Sequence, residues 1–296
     1  MILRFWIHLS CAVLVVATPI SSFPLLAKTR TNKLSLPAKT RALKMLTAAG
    51  AHVEWVTQVS FVSDYPSKLP FAERYHILEF NDTWAGDSVS PILRLKKIRT
   101  VIVRSDARLS LDDFRAMSKV RGLEELIIEL PIANDDVLSA ISQSRMTKLR
   151  WIYVEGVNVT DAGLLELMHL QSLEEVAVRG TSVTDAGLER LAELPRLKTL
   201  NLRDTLVTDQ GLRHLPRTLE RLYLARTAIT DKGLAIIAEL PQLDILDMRG
   251  TSISDTGLAH LHHHPQLRVL LVNETNVTVT QKGLDALAKT LDLDRE

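Results

Sequence analysis

The side chains able to do chemistry are few, and most of them recur at one place in a pattern. Aspartates 161, 185, 209, 231 and 255 stand at regular intervals, an arrangement that could suggest calcium. A calcium loop packs its oxygen ligands into about 12 residues, whereas here each Asp stands alone at the start of a helical stretch. Thr181, Thr205, Thr227 and Thr251 form a second column that resembles an array of nucleophilic hydroxyls. Repetition at one structural position points instead to hydroxyls that satisfy loop backbone groups. His260, His262, His263 and His264 form the one metal-like cluster. On a helix His260 and His264 fall one turn apart and could share a zinc. No third ligand accompanies them, so the cluster reads as solvated. Signatures of a nucleophile elbow, a phosphate loop or a Cys/His pair are missing, and Cys11 is the only cysteine. The expectation is a protein that catalyses nothing and carries neither cofactor nor metal.

What positions these columns is an internal repeat. Leu200-Asn201-Leu202-Arg203-Asp204-Thr205-Leu206-Val207-Thr208-Asp209-Gln210-Gly211-Leu212 returns with small changes at 176–188, 222–234 and 246–258, and Ile152 to Leu164 keeps the frame. The period is about 24 residues, inside the range for leucine-rich repeats. Decayed copies extend it: Asp135 follows Leu126-Ile127-Ile128, and Asp87 follows Leu78-Glu79-Phe80. Val101-Ile102-Val103 precedes Leu111-Asp112-Asp113-Phe114, and Leu270-Leu271-Val272 leads to Thr280-Gln281-Lys282-Gly283-Leu284. About nine strands follow from this register. In each unit Leu-x-Leu is a short strand with its leucines inward. Thr-Asp-x-Gly-Leu starts a helix, capped by Thr184 and favoured by Asp185 at the positive dipole end. Leu188, Leu191 and Leu194 keep one side of that helix on the core, and Pro195 stops it. A lone unit cannot bury its leucines; stacking joins them into one core.

Thr-x-Val-Thr-Asp-x-Gly-Leu resembles the leucine-rich repeats of bacterial envelope proteins. It is also similar to the cysteine-containing repeats of eukaryotic F-box receptors, with threonine where those carry cysteine or asparagine. The resemblance spans roughly three-quarters of the chain. It implies an α/β solenoid with a curved parallel sheet on the concave side, short helices on the convex side, and protein–protein interaction as its use.

The ends differ in kind. Met1 to Arg4 carries one positive charge, and Phe5 to Val16 is mostly apolar before Pro19. This run is short for a bilayer span of roughly 20 residues and suits a secretory signal. Val15-Val16-Ala17 and Leu25-Leu26-Ala27 are poor cleavage sites, so residues 1–27 read as a signal peptide or as a membrane anchor. Residues 28–75 read as a cap and connecting loop. Within them an amphipathic helix over 35–49 ends at Gly50, a strand covers 51–56, and a Pro-containing loop follows from Ser63. A cap is needed to cover the first layer of leucines. Residues 76–296 form the repeat domain, closed by a helix over 283–291. The protein is expected outside the cytoplasm, touching a membrane only through its N-terminal segment.

The register also gives the outward-facing side chains. The middle column is Glu79, Ile102, Ile127, Tyr153, Ala177, Asn201, Tyr223, Asp247 and Leu271. Trp151, Glu175 and Arg221 stand in the column before it, and Glu155, Arg179, Arg203 and Arg249 in the column after it. Aromatic residues beside arginines are enriched at binding hot spots. Trp151, Tyr153, Arg179, Arg203, Arg221, Tyr223 and Arg249 are therefore the expected contact residues for a protein or peptide partner. The alternative is a passive scaffold whose face charges pair along the sheet, for example Glu155 with Arg179. The 36 basic and 35 acidic residues nearly cancel, so no global field favours nucleic acid.

Overall fold

The computed structural model describes residues 52–57, 74–80, 89, 93, 98–104, 107–129, 133–143, 146–272 and 279–291. The expected leader over 1–27, the expected helix over 35–49 and Asp87 lie outside them. The described strands are β1 (His52–Thr57), β2 (Arg74–Phe80), β3 (Ile98–Val103), β4 (Glu125–Ile128), β5 (Trp151–Glu155), β6 (Glu175–Arg179), β7 (Thr199–Asn201), β8 (Arg221–Tyr223), β9 (Ile245–Asp247) and β10 (Val269–Leu271). They form one sheet in chain order, β1 antiparallel to β2 and every later pair parallel. Each crossover from β3 onward carries a short helical segment, so the fold is an α/β leucine-rich-repeat solenoid. Leu126, Ile152, Val176, Leu200, Leu222, Leu246 and Leu270 stack in register and are buried in one continuous core.

The crossovers are tighter than the leucine spacing predicts. A single helix over 185–194 becomes α4 (Asp185–Leu188) followed by a 3-10 turn at Leu191–Glu193. The other α segments are α1 (Leu111–Met117), α2 (Asp135–Ser142), α3 (Asp161–Glu166), α5 (Asp231–Ile237), α6 (Asp255–Leu258) and the closing α7 (Gln281–Thr290). A 3-10 turn advances about 2.0 Å per residue against about 1.5 Å in an α-helix, so it crosses the convex side with fewer residues. Where the unit is shortest, between Asp209 and Asp231, only a 3-10 turn remains, at Gly211–His214.

Each repeated Asp clamps the next unit. Asp161 Oδ1 accepts the backbone N–H of Thr184 at 2.7 Å, and its Oδ2 accepts the Thr184 hydroxyl at 2.6 Å. Asp135, Asp185, Asp209, Asp231 and Asp255 hold Thr160, Thr208, Thr230, Ser254 and Thr280 in the same way. The glycine of the motif makes room for the clamp: a Cβ on Gly187 would lie 2.5 Å from Asp161 Oδ1. The one early exception obeys the same rule. Leu111 stands where the β3 unit would carry Asp, and the following unit has Val137, not glycine, at that place.

A second ladder runs along the edge where strands begin. Arg99, Glu124, Arg150, Glu174, Lys198, Glu220, Asp244 and Arg268 succeed one another, each donating its backbone N–H to the carbonyl of the one before. Their side chains close the ion pairs Arg99–Glu124, Arg150–Glu174, Lys198–Glu220 and Arg268–Asp244, each at 2.6 Å.

Candidate binding surface on the sheet

The register places the expected contact residues on one face. Trp151, Glu175, Thr199 and Arg221 are successive neighbours across β5 to β8. Tyr153, Ala177, Asn201, Tyr223 and Asp247 form the adjoining column. Trp151, Tyr153, Glu175, Arg221 and Tyr223 are partly exposed.

The N-terminal part of this face holds carboxylates in a dry setting. Glu125 accepts the Thr100 hydroxyl at 2.9 Å, and Glu175 accepts the Tyr153 hydroxyl at 2.8 Å. Burial pushes both carboxyls above their ordinary range, with the hydroxyl donors pulling the other way. Burial and the adjacent Glu175 charge push the Tyr153 hydroxyl up, so it stays protonated and keeps donating. The Arg150 guanidinium covers the Trp151 ring at 4.5 Å.

The C-terminal part differs from the expected row of free arginines. Asp247 is 0 % exposed, and Arg203 and Arg249, at 21 % and 19 %, both pair with it. Arg203 crosses β8 to get there and lies 4.7 Å above the Tyr223 ring. Burial alone would raise the Asp247 carboxyl, but the Arg249 hydrogen bond and both guanidinium charges hold it below the ordinary carboxylate range. Arg179 reaches Asp204 at 3.3 Å, and Arg226 binds the same carboxylate. Arg221 closes no ion pair or side-chain hydrogen bond among the described residues. Its charge is felt by Glu175, Tyr153 and Tyr223.

Two roles escaped the sequence reading. Asp247 is a tether for two arginines; its place in the middle column, read as outward-facing, hid this, and Ile102, Ala177 and Leu271 of that column are buried as well. Asp204 and Arg226 adopt positive φ of 58° and 56° at the turn position held elsewhere by Gly180 and Gly250. The glycines at equivalent places were the available signal.

The columns suspected of chemistry are structural. Thr181, Thr205, Thr227 and Thr251 donate their hydroxyls to the carbonyls of Val178, Leu202, Leu224 and Met248. His264 is buried and not solvated: its Nδ1 accepts the backbone N–H of Leu267 at 3.1 Å, and Nε2 lies 2.9 Å from the Leu240 carbonyl. A ring nitrogen that accepts leaves Nε2 to donate, so the imidazole is neutral and staples two turns. Among the described residues no three His, Cys, Asp or Glu side chains converge on a metal-sized site.

The leucine-rich-repeat family pattern matches residues 216–238. Among solved structures an internalin from Listeria monocytogenes has a TM-score of 0.50 at 18 % identity over 68 % of this chain. The match spans 55 % of the internalin chain, so the likeness is one of fold. No curated protein matches the chain by sequence.

Proposed function

We propose that this leucine-rich-repeat solenoid is a non-catalytic interaction module that binds a protein or peptide on its concave face, outside the cytoplasm. The observation that carries this reading is the grouping of Trp151, Tyr153, Arg221 and Tyr223, partly exposed, on β5 to β8. Nine parallel strands about 4.8 Å apart make a face roughly 40 Å wide, a size suited to a macromolecule. Aromatic side chains offer broad contact with few rotors to freeze. Arg179, Arg203 and Arg249 frame that group through their ion pairs. The extracytoplasmic placement rests on the charged start and apolar run of the leader. Among the described residues no helix is long and apolar enough to cross a membrane.

The internal pairing of those three arginines favours a second reading, a scaffold with no ligand on this face. A photo-crosslinking amino acid at Trp151, and separately at convex Glu189, tests the two in the native host. The binding reading expects a discrete adduct from position 151 that excess unlabelled protein competes away, and none from 189. Equal labelling at both positions, or none at either, would leave the scaffold.

A further inference from the structure

Most arginines and lysines along the sheet close ion pairs between repeats, as at Arg99–Glu124, Arg150–Glu174 and Lys198–Glu220. Lys119, Arg121, Lys148 and Arg196 do not. They are exposed, and among the described residues none has an ion pair or a side-chain hydrogen bond. All four stand in turns that bring the chain from the convex side into β4, β5 and β7.

Two adjoining clefts open between these turns. One is lined by Lys119, Arg121 and Lys148 around Val120, Leu123 and Met146. The other is lined by His169 and Arg196 around Leu170 and Pro195. Met146 and Thr147 belong to both, so the clefts form one groove across four successive turns. Val120, Leu123, Met146 and Leu170 are buried and make an apolar floor. No carboxylate lines the groove. The nearest in sequence, Glu124, Glu174 and Glu193, are bound to Arg99, Arg150 and Arg190. Helix C-termini favour a cation near each turn, but they do not explain why the groove's lining holds cations and no carboxylate.

We infer that this groove docks an acidic peptide segment of a partner protein. Glutamate or aspartate side chains lay their stems on the apolar floor and direct their carboxylates to Lys119, Arg121, Lys148 and Arg196. Neighbouring turns about 4.8 Å apart put these cations within reach of successive side chains of an extended chain. A lipid headgroup plane would meet only the rim and leave the recessed floor empty. The groove lies outside the concave columns, so this docking stands apart from binding there.

The test uses the full chain and a fluorescent octaglutamate peptide, read by anisotropy at low salt, where exposed charges act most strongly. K119Q/R121Q/K148Q should weaken binding at least tenfold. K232Q/K282Q/K289Q, which removes three exposed lysines elsewhere, should change it less than twofold. R196Q alone should weaken it severalfold and provides a milder variant should the triple one fold poorly, which circular dichroism checks. Failure of the native chain to bind octaglutamate, or equal losses in both triple variants, overturns the proposal. Capture by phosphatidylglycerol vesicles that the turn variant abolishes, with peptide binding unchanged, would reassign the groove to lipid and also overturn it.

Discussion

Gly187 lies against Asp161: a Cβ added to the glycine would stand 2.5 Å from the carboxylate oxygen that accepts the Thr184 N–H. The same contact recurs wherever an Asp at the motif position precedes a unit, so the two residues are one device written in two repeats. Gly187→Ala should destabilise the protein by about 1–3 kcal/mol, through overpacking of a tight site. Asp161→Ala should cost a similar about 1–3 kcal/mol by leaving the Thr184 amide without its acceptor. Because both act on one contact, the double variant should cost less than the sum. Urea unfolding of the four proteins checks this, and strict additivity would break the link.

Leu200 and Asn201 are adjacent in sequence and opposite in consequence. Leu200 is fully buried between its neighbours in the leucine stack, where a leucine contributes about 1.5–3 kcal/mol. Leu200→Asp should unfold at least the flanking repeats, seen as a lost or biphasic thermal transition. Asn201 is partly exposed, and its Oδ1 accepts the Arg203 N–H at 3.2 Å, a role an Asp oxygen can fill. Asn201→Asp should shift stability by about 0.5 kcal/mol or less.

Arg203 and Arg249 neutralise a carboxylate that has no access to water. Arg203→Gln or Arg249→Gln should each cost about 1.5–3 kcal/mol, the scale of a hydrogen bond to a charged group. Asp247→Asn should relieve part of the loss in the double-arginine variant, because it removes the stranded charge. Chemical denaturation measures both. Charge reversal at these arginines therefore confounds fold with binding, and Arg221 is the cleaner place to alter the face.

His264 supplies a pH dependence of known sign. Burial lowers its pKa below the ordinary histidine value of 6.5, because protonation would put a charge in a dry turn and end acceptance of the Leu267 N–H. A group with a depressed folded pKa binds its proton more readily when unfolded. Its stabilising contribution is thus complete above about pH 6.5 and falls as pH drops toward the folded pKa. Unfolding midpoints should decline as pH falls below about 6.5 in the native protein, and His264→Gln should flatten that slope. An unchanged slope would assign the decline to other groups.

Thr181 donates its hydroxyl to the Val178 carbonyl inside the turn. Thr181→Val should cost about 1 kcal/mol. The protein already shows the alternative at the equivalent place one unit earlier, where Val157 turns outward and is 65 % exposed.

The strand register was fully legible, because inward leucines at alternate positions leave a single way to stack, and every predicted middle-column neighbour from Glu79 to Leu271 pairs as expected. Helix lengths were less so. Leu188, Leu191 and Leu194 satisfy an α-helical face, yet a 3-10 turn buries them too. The electrostatics of the face were least legible. Arg203 and Asp247 are 44 residues apart and meet by reaching over Tyr223, which a column-by-column reading of neighbours does not reveal. The turn cations escaped attention because each is ordinary alone; the groove appears only when four turns are stacked.

The charge ladder along the strand starts constrains how such an array can grow or shrink. Its signs alternate from Arg99 to Glu220 before Asp244 and Arg268. Deleting residues 185–208 would be silent to the Asp clamp, since Thr184 would then join Asp209, leaving Asp161 to hold Thr184 and Asp209 to hold Thr230 as before. The ladder would register the loss at once: with Lys198 gone, Glu174 would stand beside Glu220 and then Asp244, three carboxylates in succession. Excising two adjacent units with one cation and one anion leaves the alternation intact. Within the alternating stretch, removing an even number of units keeps opposite charges adjacent along the edge, whereas removing an odd number sets like charges side by side.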